Sequence, residues 1–154
     1  MEKKILTDKE IKQFLKLLDG FENRLAGWKD NISLDGKNIQ TVNIEQVSWL
    51  GYYDEIKVEL KHYINDLERR LKRQKAISIK IIYETMQKSI TDRMVEKLAE
   101  ENKDYENIHD LFLEFKQLYD QAESVVNIFH QRAYAINNIV KIREKELEGI
   151  TLHT

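Results

Sequence analysis

The sequence predicts an all-α protein of long helices, and three observations carry that prediction. Proline is absent, and glycine is limited to Gly20, Gly27, Gly36, Gly51 and Gly149. Inside a helix proline costs about 3 kcal/mol and glycine about 1 kcal/mol, so the chain holds almost no breakers. Charged residues make up 34% of it, rich in Glu and Lys of alternating sign, as on solvated helix faces. Apolar residues recur at spacings of three and four over long stretches.

The first element begins at Thr7-Asp8-Lys9-Glu10, which has the spacing of a capping box with Thr7 as N-cap and Glu10 reaching back. Ile11, Phe14, Leu15, Leu18, Phe21 and Leu25 follow at helical spacing, and Asp19-Gly20 is a point where this helix ends or bends. Trp28 to Lys37, with Asp30-Asn31, Ser33 and Asp35-Gly36, reads as a loop or turn. Ile39, Val42, Ile44 and Val47 are β-branched, and over about 38–46 a helix and a short extended segment are both open. From about Val47 a helix is expected to run to about Gln87. Ile56, Leu60, Ile64, Leu67 and Leu71 share one face, and no breaker intervenes before Ser89. Ser89, Thr91 and Asp92 offer N-caps for a helix from Arg93 to about Asn102. Glu106 to Arg143 reads as one long helix or two. The expected organisation is a helical region over 1–104 carrying a basic stripe, and a C-terminal helical region over 105–154 serving oligomerisation.

The 154 residues suit one domain, or one domain with an appendage, and a domain of this size buries roughly two-thirds of its unfolded surface without staples. The absence of cysteine excludes disulfides and thiolate chemistry and is compatible with a reducing cytosol. MEKKILTDKEIKQF lacks the apolar run of a signal peptide, and no stretch approaches the length of a membrane span. A soluble cytoplasmic protein with no membrane partner is therefore expected.

The charge is unevenly placed. Between Lys57 and Lys80 there are eight basic residues against three acidic ones, a local charge of +5 in a chain of −2, so the remainder carries −7. The centre of this segment is LERRLKRQK. At 100° per residue Arg69, Arg73 and Lys80 lie within about 40° of one another, opposite the seam of Ile56, Leu60, Ile64, Leu67 and Leu71. Arg70 and Lys72 flank them, and Ala76 leaves room for an approaching partner. A solvated face usually mixes signs through i, i+4 pairs, as Glu96, Glu100, Lys97 and Lys103 do elsewhere. The stripe has no acidic residue after Glu68. Three readings stand: a solvated face, a dock for an acidic protein, or a grip on a phosphate backbone through counterion release. Tyr52, Tyr53, Tyr63 and Tyr83 lie around the stripe, available for base stacking or for the core.

The C-terminal helix differs. Apolar rows repeat every seven positions: Val126, Ala133, Val140 and Leu147; Ile128, Ala135 and Ile142; Phe129 and Ile136. Together they span an arc of roughly 200°, wider than the stripe of an ordinary surface helix. Such a helix is either the centre of a monomer core or a site of self-association. No Gly-rich phosphate loop, paired-histidine metal motif or nucleophile elbow occurs. His62, His109, His130 and His153 lack metal-ligand spacing. No catalytic residue, metal or cofactor is expected, and the chain does not read as an enzyme.

The order Trp49-Leu50, Ile56-Lys57-Val58-Glu59-Leu60, Leu71-Lys72-Arg73 and Arg132-Ala133-Tyr134-Ala135-Ile136-Asn137-Asn138-Ile139, ending in Ile142-Arg143, resembles the UvsY family, the recombination mediators of T-even-type phages. The resemblance covers about Ile39 to Arg143 and is weak at the N-terminus, where this chain carries extra residues. It implies a small helical protein that forms a ring-like homo-oligomer, a hexamer or heptamer, in the cytoplasm of an infected host cell. It further implies binding of single-stranded DNA and contact with the phage recombinase and the phage single-strand-binding protein, whose replacement on the strand the mediator assists. The family's Leu-Lys-x-Arg core places its lysine at Lys72 and its arginine at Gln74, so the second match fails, although Arg73 and Lys75 flank it. The expected strand contacts are Arg69, Arg70, Lys72, Arg73, Lys75 and Lys80. The expected oligomerisation residues are Val125, Val126, Phe129, Arg132, Ala133, Ile136, Ile139 and Val140. The rival class is a helical adaptor whose stripe docks an acidic partner. A basic helix lying on an anionic membrane is weaker, because the apolar face lacks the Trp and Phe such helices favour.

Overall fold

The computed structural model describes residues 4–86 and 89–152. Among these the chain is all-α, with helices α1 (Asp8–Leu25), α2 (Trp28–Ile32), α3 (Ile39–Thr85), α4 (Asp92–Glu100) and α5 (Lys103–Leu152), and no strand. It divides into two compact units. One combines the N-terminal part through Glu22 with Val58–Tyr119; the other combines Asn23–Lys57 with the chain from Asp120 onward. Each draws on both halves of the sequence, with the boundaries falling after Glu22, Lys57 and Tyr119.

The first unit starts from the capping box. Glu10 N–H donates to Thr7 Oγ1 at 3.2 Å, and Thr7 N–H donates to the Glu10 carboxylate at 3.4 Å, which satisfies donors the first turn leaves open. Gly20 does not end α1, which continues through it to Leu25. Phe14, Leu18 and Phe21 of α1 are buried, as are Leu60, Ile64, Leu67 and Leu71 of α3. Val95 and Ala99 of α4 and Ile108, Leu111, Phe115 and Leu118 of α5 complete this core. Aromatic pairs lock it: Phe115 lies 5.9 Å from Phe14, edge to face, and 5.6 Å from Tyr63, tilted, between ring centroids, and Phe21 lies 5.9 Å from Tyr63, edge to face. Thr91 caps α4, its hydroxyl accepting from Met94 N–H at 3.4 Å. The expected end of α3 near Gln87 lies outside the described residues; the helix is assigned to Thr85.

In the second unit the segment read as a loop from Trp28 to Lys37 contains the single-turn helix α2 before it turns at Gly36, whose φ of 69° suits glycine. The extended segment considered over 38–46 is corrected: α3 already begins at Ile39. Asn38 explains the start, since its side-chain oxygen accepts from Gln40 N–H at 2.8 Å and its carbonyl accepts from Val42 N–H at 3.0 Å. β-Branching favoured a strand, but burial follows the helical period, with Val42 and Gln46 inside and Ile44 and Val47 exposed.

Polar side chains tie this unit together. Tyr53, fully buried, stacks on Phe129 at 5.4 Å and accepts a hydrogen bond from Asn31 Nδ2 at 2.9 Å. Burial pushes its phenol above the ordinary value, against that hydrogen bond. Gln46 Nε2 donates to the Phe129 carbonyl at 2.6 Å, and Arg132 Nη1 donates to the Asn31 carbonyl at 3.1 Å. The Arg132 guanidinium lies over the Phe129 ring at 5.7 Å. Burial pulls Arg132 below its ordinary value, with the Glu45 carboxylate opposing.

Candidate nucleic-acid interface

The cationic stripe of α3 belongs to the first unit. It stands outward because Leu60, Ile64, Leu67 and Leu71 turn inward, and the structure sorts its six expected strand contacts into two groups. Arg69, Lys72, Arg73 and Lys80 are exposed. Arg69, Arg73 and Lys80 have no hydrogen-bond or ion-pair partner among the described residues. Lys72, its side chain 78% exposed, reaches only Glu68, at 4.0 Å, a contact worth little in water. From Arg69 to Lys80 this free charge covers about 16 Å of helix axis.

Arg70 and Lys75 are committed within the fold. The Arg70 side chain is 22% exposed and ties α1 to α3. Its Nη1 donates to Glu10 and to the Ile5 carbonyl, the latter at 2.9 Å, and its Nε donates to Asp66 at 3.2 Å. The guanidinium also lies 5.5 Å from the Phe14 ring centroid. Burial opposes the Arg70 charge, yet the hydrogen bond to Glu10 and the fields of Asp66 and Glu10 lift it above its ordinary value overall. In return the hydrogen bond from Arg70 holds Glu10 below the usual carboxylate range. Lys75 Nζ donates to Glu100 of α4 at 3.1 Å, which raises the ammonium above its ordinary value.

Gln74, the position where the family resemblance would put an arginine, is buried and donates to Ser78 Oγ at 3.2 Å. It faces the interior one turn after Leu71. Of the four tyrosines considered for stacking, Tyr53 is core and Tyr63 belongs to the Phe14–Phe21–Phe115 cluster. Tyr52 is half-buried against Trp49 and Tyr53. Tyr83 is exposed one turn beyond Lys80, its hydroxyl bonded to Asp92.

The eight expected oligomerisation residues also divide. Val125, Val126, Phe129, Arg132 and Ile136 are buried within the chain's own second unit. Ala133 and Val140 are half-buried, and Ile139 is exposed. The broad arc therefore has an inner half that serves the monomer and an outer row that does not. Ala135, Ile139 and Ile142 are exposed on that outer row, which half-buried Ile128 begins, at i, i+7, i+11 and i+14 from Ile128. Ile142 is 57% exposed. From Asn137 to Gly149 no residue is buried, and among the described residues this part of α5 leaves Ile139 and Ile142 exposed. Sequence reasoning missed this row as the outward one, although it had registered the Ile128, Ala135, Ile142 repeat.

A cavity of about 430 Å³ opens beside the stripe, lined by Lys4, Ile5, Glu10, Asp66, Arg69, Arg70 and Arg73. The sequence did not single out Lys4. Among the described residues no group of three or more His, Cys, Asp or Glu side chains is placed to hold a metal. His109 is stacked between Tyr105 and Phe112, and His153 lies outside the described residues. No helix among the described residues is long and apolar enough to cross a membrane. Comparison of the chain with protein-family models, with curated proteins and with solved structures finds no match.

Proposed function

We propose that the chain is a recombination mediator of the UvsY type, which binds single-stranded DNA as a homo-oligomer and helps load a recombinase onto strands covered by single-strand-binding protein. The observation that carries the reading is the outward row Arg69, Lys72, Arg73 and Lys80 on one side of α3, three of its members unpaired among the described residues. Like charges held this close repel, and a phosphate backbone relieves that repulsion while releasing counterions. Binding of this kind is indifferent to base sequence and weakens steeply with salt. The uncovered row of α5 supports the assembly half of the reading, because a ring repeats the α3 row and turns modest affinity per subunit into avidity. Contacts with the recombinase and the single-strand-binding protein rest on the family resemblance alone.

The testing experiment pairs mass by light scattering with binding of a labelled oligo-thymidine strand across a salt series. The expected result is an oligomer whose log affinity falls linearly with log salt. A variant with Arg69, Lys72 and Arg73 changed to Ala is expected to keep its mass, lose at least tenfold in affinity at low salt and show a slope shallower by about 2, at about 0.7 per phosphate contact on a single strand. A monomer indifferent to the strand at low salt sinks the mediator reading and leaves the α3 row as a dock for an acidic protein.

A further inference from the structure

The cavity beside the stripe has an unusual charge inventory. Four cations and two carboxylates line it, but both carboxylates, Glu10 and Asp66, are turned onto Arg70. Arg70 uses both, and it also holds the Ile5 carbonyl. The charges left facing the opening are Arg69 and Arg73 on α3 and Lys4 on the segment before α1. Arg69 and Arg73 have no partner among the described residues, and Lys4 has only two loose contacts, to Asp8 at 3.8 Å and Asp104 at 3.9 Å. Its side chain is about half exposed, so neither contact contributes much.

The position of Lys4 is fixed by its neighbours. Leu6 is buried, the Ile5 carbonyl is held by Arg70 at 2.9 Å, and Thr7 and Glu10 close the capping box. Lys4 is thus carried on an anchored segment opposite two arginines. The cavity size falls in the class of small-ligand sites, roughly 300–1,000 Å³. Two guanidiniums and an ammonium around an open hollow, with the two lining carboxylates already engaged by Arg70, suit a compact polyanion with several acceptor oxygens.

We propose that this hollow is a phosphoryl seat, in which Lys4, Arg69 and Arg73 close on one phosphate group from three directions. The phosphate is a backbone phosphodiester of the bound strand if the mediator reading holds, on which this assignment partly rests, or a phosphate of a free polyphosphate if it does not. Either way the N-terminal segment, outside the stretch that resembles the mediator family, becomes part of the binding surface. Arg70 is then a positioning residue that builds the seat without touching the ligand.

The test compares the wild-type chain with Lys4→Ala and Lys4→Arg, against two probes: a labelled oligo-thymidine strand over a salt series, and inorganic tripolyphosphate followed by calorimetry. Lys4 is exposed, so both variants are expected to keep the helical circular dichroism of the wild type. For Lys4→Ala the expected result is a three- to tenfold loss for each probe and a log–log salt slope on the strand shallower by about 0.7, with Lys4→Arg close to wild type. Lys4→Ala indistinguishable from wild type on both probes overturns the seat, while wild-type strand binding in that same series leaves the mediator reading standing. Tripolyphosphate binding that depends on Lys4, in a chain indifferent to the strand, upholds the seat and removes the mediator reading. Failure of the wild-type chain to bind either probe overturns both.

Discussion

Arg70 shows how far a residue's role lies beyond its place in the sequence. In LERRLKRQK it is one of five cations, set apart from Arg69 beside it only by lying on the flank of the stripe. Its partners Glu10 and Ile5 lie some sixty residues away and meet it only in the folded chain. The capping box was legible because its two members are three residues apart; the clamp that uses the same Glu10 was not. Gln74 is the contrary case, since its burial follows from the seam of Leu67 and Leu71 once the helical phase is fixed. The clamp makes a prediction about acid. Glu10 is held below the usual carboxylate range, chiefly by its hydrogen bond with Arg70. A depressed folded value means that the unfolded chain takes up the proton first as pH falls. The stability due to Glu10 is therefore present above the unfolded glutamate value, about 4.3, and is lost as pH falls through the folded value. Glu10→Gln is expected to lower the melting temperature at pH 7 and to make progressively less difference between pH 4.5 and pH 3. An equal gap between variant and wild type at both ends of that range removes the clamp from the stability of α1.

At the scale of elements, periodicity and the capping residues were reliable guides, and β-branching and an isolated glycine were not. The seam Ile56, Leu60, Ile64, Leu67 and Leu71 is buried without exception, and α4 begins at the cap residue Thr91 that its sequence offered. The β-branched start of α3 was ambiguous because Ile39, Val42, Ile44 and Val47 fit either period over so short a stretch. The burial of Val42, Gln46 and Tyr53 decided it, and Gln46 and Tyr53 are held there by Phe129 of α5. Gly20 misled in the opposite direction, since glycine is tolerated inside a helix whose neighbours pack well. It sits exposed in the middle of α1, and a Cβ placed there meets nothing within 4 Å. Gly20→Ala is therefore expected to stabilise the protein by about 1 kcal/mol, read as a higher urea midpoint with unchanged slope. A lower midpoint would mean that a second copy or partner approaches α1 closely at this position. The same logic does not extend to Gly36, whose positive φ makes an alanine strained.

At the scale of the whole molecule, the uneven charge was visible in composition, and so was the excess of apolar surface on α5. What the sequence left open was which apolar residues the chain would cover itself. It covers Val125, Val126, Phe129 and Ile136 and leaves the row through Ile139 and Ile142 outward. Asp at an inward position would break the monomer core, so it reports nothing about assembly. Asp at Ile139 and Ile142 together leaves that core intact and places charge only where a second copy would pack. The double variant is expected to drop in mass by light scattering while keeping its helical circular dichroism. If strand affinity is avidity, the loss depends on strand length. A strand long enough to pass several subunits should lose about a hundredfold or more in affinity, because each cationic row then acts alone. A strand short enough to reach one row should bind the variant and the wild type alike. Loss of mass with undiminished affinity for the long strand would place all the binding energy in a single subunit and remove the reason for a ring. Retention of full mass would move the assembly surface away from α5, with the exposed Ile44 and Val47 of α3 as the next face to charge.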